Sequence, residues 1–117
     1  MSKIYAFDLD ETLCYRDKDV EHLGVDKYKH CVPIQEMINR VNKLYDDGNT
    51  ILIFTARGMS QFKGDIHKVY SNLYGVTIDC LKSWGIKYHT LIMGKPHYDY
   101  LIDDKAISIE DFKKIEL

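Results

Sequence analysis

Acidic, hydroxyl and basic side chains directly follow four short apolar runs of this sequence. Asp8 and Asp10 follow the first run, residues 55–57 (TAR) follow the second, and residues 94–96 (GKP) follow the third. The acidic pair at 103–104 follows the fourth. A carboxylate can attack phosphorus, move a proton or bind a hard cation, and a lysine with a hydroxyl can stabilise a phosphoryl group. Together these residue types predict phosphoryl chemistry with Mg²⁺ held by oxygen.

The four apolar runs predict the strands that would position these side chains. Each run is short, rich in β-branched or aromatic residues, and ends abruptly at a polar residue. Such runs are typical of strands that are buried on both faces. The predicted strands cover residues 4–7, 50–54, 90–93 and 100–102.

Two segments between these runs carry apolar residues at helical spacing. The first extends from Ile34 to Tyr45, after Pro33 and before Gly48, which are typical residues for a helix start and a helix end. The second extends from Ile66 to Trp84. Because Thr77 could cap a shorter helix of its own, this segment predicts either one helix or two.

Strands that alternate with helices predict an α/β fold. We expect a Rossmann-like three-layer α/β/α sandwich with a mainly parallel central sheet, formed as a single domain over residues 1–117 without an inserted cap domain. The segment of residues 15–32 is longer than an ordinary connection between elements, which predicts a flap that could hold a small hairpin. Ligands bind at the carboxyl ends of parallel strands, so all four polar groups should converge on one site.

The composition argues against several kinds of partner. The 117 residues include 16 basic and 18 acidic side chains, with no basic stripe for nucleic acid and no polybasic segment for a membrane. No apolar run approaches the ~20 residues of a membrane span, which predicts a cytoplasmic protein. Cys14, Cys31 and Cys80 are far apart in sequence and form no CxxC pair, so we expect inert, reduced thiols.

The order of the motifs FDLDETL, IFTAR, GKP and LIDD resembles that of the haloacid dehalogenase (HAD) superfamily of phosphohydrolases. The lack of a cap resembles its small capless members, the capsule-biosynthesis phosphatases in particular. The resemblance implies a Mg²⁺-dependent phosphatase with an aspartyl-phosphate intermediate. Asp8 would be the nucleophile and Asp10 the general acid and base. The phosphate would be bound at Thr55, Ala56, Arg57 and Lys95. The Mg²⁺ would be bound by Asp8, by the Asp10 backbone carbonyl and by Asp103, with Asp104 next to them.

Several of these residues also have ordinary structural interpretations. The Arg57 side chain could contact the substrate, but a solvent-facing position is about as well supported by the sequence. Asp104, rather than Asp103, could be the direct metal ligand, so the choice between them stays open. The flap is locally basic, but its acidic residues favour the interpretation of a mixed, solvated loop. Tyr15, Tyr28 and Tyr98 could face a sugar, although most of the nine tyrosines must be packing residues.

We expect the substrate to be a small phosphorylated metabolite, a sugar or polyol phosphate of polysaccharide biosynthesis, with no nucleic-acid or membrane partner. A phosphoprotein phosphatase and a receiver-like phosphoacceptor module are the alternatives. A receiver has its acidic pair after the first strand, whereas here the DxD motif comes first and the DD pair last. A capless site is open to water, which predicts a homo-oligomer whose neighbouring subunit supplies a wall, with part of the flap near the adjacent site.

Overall fold

The computed structural model describes residues 2–117. Its strands are β1 (Ile4–Asp8), β2 (Cys14–Tyr15), β3 (Val32–Pro33), β4 (Thr50–Thr55) and β5 (Thr90–Met93). Its α-helices are α1 (Gln35–Asp46), α2 (Ile66–Ser83) and α3 (Ile109–Lys113). The main sheet is parallel and has the strand order β1-β4-β5, which confirms the predicted Rossmann-like α/β fold with a mainly parallel sheet.

The register of the main sheet brings three strand ends to one edge. Asp8, the last residue of β1, pairs with Phe54, and Thr55, the last residue of β4, pairs with Met93 of β5. The carboxyl ends of the three strands are therefore level to within about one residue. The side chains that follow them meet at that edge, as expected for a parallel sheet.

The central strand and the two long helices form the core. β4 alternates buried and half-buried residues, with Ile51 and Ile53 fully buried. α1 packs against β4 through four buried apolar residues at helical spacing, and α2 packs against β5. The predicted helix after Pro33 is confirmed: it starts at Gln35 and ends at Asp46, two residues before Gly48.

The segment after residue 65 is one continuous helix, α2, and not two. The carboxylate of Asp65 caps its start by accepting a hydrogen bond from the Lys68 N–H. Thr77 lies in its interior and caps nothing, because its hydroxyl donates to the Leu73 carbonyl one turn earlier. Neither α2 nor any other helix within residues 2–117 is long and apolar enough to cross a membrane.

The predicted flap is closed at its base by a short antiparallel pair. β2 and β3 pair through Cys14 with Pro33 and Tyr15 with Val32. Between them, 3₁₀ turns run over Lys18–His30 and are interrupted at Gly24, whose φ of 63° is in the left-handed region. The flap packs on α2, and Tyr28 is its buried residue.

The predicted fourth strand over residues 100–102 is wrong. Tyr100, Leu101 and Ile102 form no strand and are 86, 55 and 91% exposed. A parallel strand needs a crossover of about a dozen residues or more, whereas only six residues separate β5 from this run. The segment between β5 and α3 is therefore an irregular, exposed arm, which we define as residues 96–108.

Candidate active site

A cleft of about 570 Å³ lies at the carboxyl edge of the main sheet. Residues that follow β1, β4 and β5 line it, together with Tyr28 of the flap and part of the arm. The structure thus brings together the predicted site residues Asp8, Asp10, Thr55, Ala56, Arg57 and Lys95. Three of the four predicted motifs converge on one site, as expected.

Asp8 lies at the end of β1 with one oxygen engaged and the other available. Its Oδ1 accepts a hydrogen bond from the Leu9 N–H at 2.9 Å and lies 3.4 Å from Lys95 Nζ. Its Oδ2 makes no hydrogen bond or ion pair within residues 2–117. A carboxylate that is fixed through one oxygen and open at the other can act as a nucleophile or as a ligand of a hard cation.

The position of Lys95 is set by both its backbone and its side chain. Its N–H donates to the Thr55 carbonyl at 3.0 Å, which ties the turn after β5 to the end of β4. Its Nζ lies 4.6 Å from the centre of the Phe54 ring and 5.0 Å from that of Tyr98. These aromatic faces stabilise the ammonium group next to Asp8.

Gly94 makes the turn before Lys95 possible. Its φ is 92°, and a Cβ at this position would collide with the Cδ1 of Ile66. Only glycine combines this backbone conformation with so close a neighbour at little cost. The approach of Lys95 to the end of β4 therefore depends on the glycine before it.

Thr55 presents a hydroxyl whose proton is free to be donated. Its Oγ1 accepts a hydrogen bond from the Arg57 N–H at 3.1 Å, and the residue is buried at the floor of the cleft. A hydroxyl has one proton and can accept as well as donate. The Arg57 N–H uses the accepting side, so the proton can point to an oxygen of a ligand in the cleft.

Arg57 is buried and ion-paired, so the interpretation of a solvent-facing arginine is wrong. It is 2% exposed, and its Nε and Nη2 donate to Asp10 Oδ2 at 2.9 Å and Oδ1 at 3.1 Å. Its Nη1 donates to the Thr77 hydroxyl at 3.2 Å. Burial alone would lower the pKa of Arg57, but the hydrogen bonds and charge of Asp10 raise it above its usual range. The guanidinium therefore stays charged while buried.

Two flap residues complete this group: Arg16, which sequence reasoning did not assign to the site, and Tyr28, which it considered only as a ring that could face a sugar. Arg16 binds Asp10 Oδ1 through Nη1 at 2.9 Å and Glu21 through Nε at 3.0 Å. The centre of the Tyr28 ring lies near two guanidinium groups, 4.6 Å from Arg57 Cζ and 4.9 Å from Arg16 Cζ. The interpretation of the flap as a solvated loop is wrong for this part. The locally basic character of the flap was the signal in the sequence that pointed to Arg16.

Cys14 and Cys31, which are distant in sequence, lie together beside Asp10. Their sulfurs and a carboxylate oxygen of Asp10 are within 4.8 Å of one another. A hydrogen bond from Cys14, aided by the Arg57 charge, lowers the pKa of Cys31 to about 7. The same hydrogen bond and burial raise the pKa of Cys14. Cys14 and Cys31 are therefore neighbours in the fold, although the sequence places them far apart.

The available donors fit a hard cation at Asp8 better than a soft one at the cysteines. The Arg57 guanidinium lies 3.2 Å from Cys31 Sγ and binds both oxygens of Asp10, so a positive charge already occupies that group. Asp8 lines the open cleft, and its Oδ2 has no partner within residues 2–117. Mg²⁺ prefers oxygen ligands and keeps several waters, so it could bind there with few protein ligands.

The acidic pair of the fourth motif is not brought to the cleft. Asp103 and Asp104 are exposed and do not line it. Asp103 accepts a hydrogen bond from the Lys105 N–H at 2.9 Å, which holds the pKa of its carboxyl below the usual value. Glu11 lines the cleft in their place, at a φ of 66° that is rare for a residue with a side chain.

Known proteins resemble this chain in fold and in family. The chain is similar to the crystal structure of a structural-genomics target from Vibrio cholerae, with a TM-score of 0.83 and 26% sequence identity. The match covers 100% of this chain and 91% of the Vibrio cholerae chain. No curated protein sequence matches the chain. The model of the family described as polynucleotide kinase 3 phosphatase matches residues 3–83, which include the first two motifs and the whole of α2. The chain therefore belongs to the polynucleotide kinase 3 phosphatase family, a family of HAD-like phosphatases.

Proposed function

We propose that this protein is a Mg²⁺-dependent phosphatase that hydrolyses a phosphate monoester of a small metabolite through an aspartyl phosphate on Asp8. The observation that carries the proposal is the position of Asp8. Asp8 lines the cleft with its Oδ2 unpaired within residues 2–117, Lys95 Nζ lies 3.4 Å from its other oxygen, and Thr55 lines the same space. A nucleophile, a cation and a hydroxyl donor at one strand edge meet the needs of phosphoryl transfer.

The first half of the proposed reaction transfers the phosphoryl group to Asp8. The Asp8 Oδ2 attacks phosphorus, and the bond from phosphorus to the ester oxygen breaks. Asp10 enters this half protonated on Oδ2 and gives that proton to the leaving alkoxide, and it regains a proton from water in the second half. Lys95 and Thr55 stabilise the phosphoryl oxygens as charge moves. When bound, Mg²⁺ would neutralise negative charge shared by Asp8 and the phosphate.

The second half restores the enzyme. Asp10 takes a proton from water, the oxygen of that water attacks phosphorus, and the bond from phosphorus to Asp8 breaks to release inorganic phosphate. Asp10 Oδ1 is bound by both Arg16 and Arg57, whereas Oδ2 accepts only from Arg57 Nε. Oδ2 therefore keeps a lone pair for the proton.

The cleft supports a small substrate rather than a polyanion. A volume of about 570 Å³ is in the range of small-molecule sites. Acidic residues, Glu11 and Asp99 among them, lie along its lining, and the chain carries a net charge of −2. The rings of Tyr28 and Tyr98 offer apolar faces of the kind that bind sugars. We therefore favour a sugar or polyol phosphate, as in capsule-type polysaccharide biosynthesis.

Release of inorganic phosphate from a substrate panel tests the proposal. The panel holds sugar and polyol phosphates, a phosphopeptide, and a 3′-phosphorylated oligonucleotide because the family description names a polynucleotide phosphatase. We expect turnover of a small ester with Mg²⁺ and none with excess EDTA. Full activity in EDTA would contradict the metal requirement, and a preference for the peptide or the oligonucleotide would contradict the substrate class. Stoichiometric labelling by a small acyl phosphate without turnover would instead favour a receiver-like module.

A further inference from the structure

One edge of β1 has no partner. The strand pairs with β4 on its other side, and within residues 2–117 no backbone hydrogen bond links the free edge to another segment. Ala6 in the middle of the strand is exposed, and Ile4 is 72% exposed. A free edge beside the catalytic strand is a place where a further strand can add.

The arm carries a strand-like segment that also has no partner. Tyr100, Leu101 and Ile102 form a continuous apolar run like that of β4, yet each is more than half exposed. Such a run is typical of a strand covered on both faces. If it ran parallel to β1 with Asp103 beside Asp8, Tyr100 would pair with Tyr5, and the acidic pair would lie at the edge of the cleft.

The arm cannot make this pairing within its own chain. Lys95 follows β5, and β5 lies three strand spacings, about 14 Å, from a strand added to the free side of β1. Because its N–H is bonded to the end of β4, Lys95 also lies about 17 Å above the level of Tyr5. Tyr100 would have to lie about 22 Å from Lys95, whereas the chain between them reaches only about 18 Å. Antiparallel addition to β5 would carry Asp103 to the opposite end of the sheet.

We propose that the segment Tyr100–Ile102 of one copy adds to the free edge of β1 in a second copy and brings Asp103 beside Asp8 of the partner subunit. A catalytic role for Asp103 rests on the function proposed above, but the pairing does not. The flap is held to its own chain by the β2–β3 pair, whereas Tyr100–Ile102 pairs with no strand within residues 2–117, so the arm is the segment available for exchange.

The length of the arm permits the exchange. Its first end is held by the bond of Lys95 to Thr55, and its other end by α3, where the Phe112 ring packs edge-on against Phe7 at 5.4 Å. Thirteen residues span up to about 45 Å, so the arm can extend about 20 Å from its own body and return. Two copies that exchange arms form a closed, two-fold dimer in which each receives the segment it gives.

Mixing two inactive variants tests whether Asp8 and Asp103 of one site come from different chains. Asp8→Asn and Asp103→Asn should each be inactive alone. Random exchange in an equal mixture of the two variants makes half of the dimers mixed. Each mixed dimer has one intact site and one site that lacks both carboxylates. We therefore expect the mixture to show about a quarter of the wild-type activity. A tag on one variant verifies exchange. Mixed dimers that stay inactive would overturn the proposal.

The oligomeric state tests the pairing without any activity. Light scattering should give the wild type twice the 13.7 kDa of one chain. Ile102→Asp should be a folded monomer, whereas Tyr74→Asp, at an exposed apolar residue of α2, should remain a dimer. A monomeric wild type, or a dimer unaffected by Ile102→Asp, would overturn the pairing. If no phosphate ester is hydrolysed but Ile102→Asp dissociates the dimer, the pairing stands and the proposed function fails.

Discussion

The guanidinium group of Arg57 holds both carboxylate oxygens of Asp10, with Nε 2.9 Å from Oδ2 and Nη2 3.1 Å from Oδ1. The fork of two N–H groups matches the geometry of a carboxylate, and the Arg57 side chain is fully buried. The pair joins the turn after β4 to the loop after β1. Arg57 therefore positions the proposed acid and base, and its guanidinium is not free to bind phosphate.

Replacing Arg57 by lysine tests this positioning role. Arg57→Lys keeps the charge but can reach only one oxygen at a time, so we expect kcat to fall about 100-fold with little change in KM. Arg40→Lys is the control, because Arg40 binds the carbonyls of Phe112 and Ile115 outside the cleft. Steady-state kinetics of both variants decide the question. A raised KM with an unchanged kcat for Arg57→Lys would show that the residue binds substrate directly.

Asp8→Asn should abolish phosphate release and leave the fold intact. The amide is a poor nucleophile and a poor ligand of a hard cation, but it has the same size as the carboxylate it replaces. Asp79→Asn, on the exposed face of α2, should keep full activity. Phosphate release and thermal unfolding are measured on both. Turnover that survives in Asp8→Asn would exclude Asp8 as the nucleophile.

Asp10→Asn should separate the two halves of the reaction. An aryl phosphate with a good leaving group needs no proton, so phosphorylation of Asp8 should continue, whereas hydrolysis lacks its base. We expect a burst of one aryl alcohol per site and an accumulated acyl phosphate, detected by mass spectrometry. Decay of that acyl phosphate at the wild-type rate would mean that another group is the base.

Two glycines should respond to alanine in opposite directions. Gly94→Ala places a Cβ against Ile66 at a φ of 92°, and we expect a loss of about 1–3 kcal/mol in the free energy of unfolding, with reduced activity as Lys95 shifts. Gly75→Ala, inside α2 with open space around it, should gain about 0.5–1 kcal/mol. Urea unfolding measures both. Equal stabilities of Gly94→Ala and the wild type would show that the turn tolerates a side chain.

Cys31 should be the most reactive thiol of the protein. Because the Cys14 hydrogen bond and the Arg57 charge lower its pKa to about 7, its thiolate forms as the pH rises through 7. Burial raises the pKa of Cys80, which serves as the internal control. Iodoacetamide alkylation followed by mass spectrometry should show this order, and Cys14→Ala should shift the Cys31 profile to higher pH. Alkylation of Cys31 and Cys80 with the same pH profile would contradict the assigned contacts.

The local pattern of the sequence was sufficient for the three parallel strands, for α1 and for the convergence of Asp8, Thr55 and Lys95. Buried strands read as apolar runs, and a parallel sheet places the residues after each run at one edge. These features depend on spacing within a few residues. They were therefore open to prediction from one sequence without any knowledge of contacts between distant segments.

Only the tertiary structure decided the partners of Arg57 and of Cys31. Asp10 and Arg57 are 47 positions apart, and Cys14 and Cys31 are 17 apart, so no local spacing links either pair. The position of residues 100–102 also could not be predicted from the local sequence pattern. Their sequence predicts a strand, but a strand forms only where its backbone reaches a free edge. Connection length and sheet order set that condition, and both are properties of the whole fold.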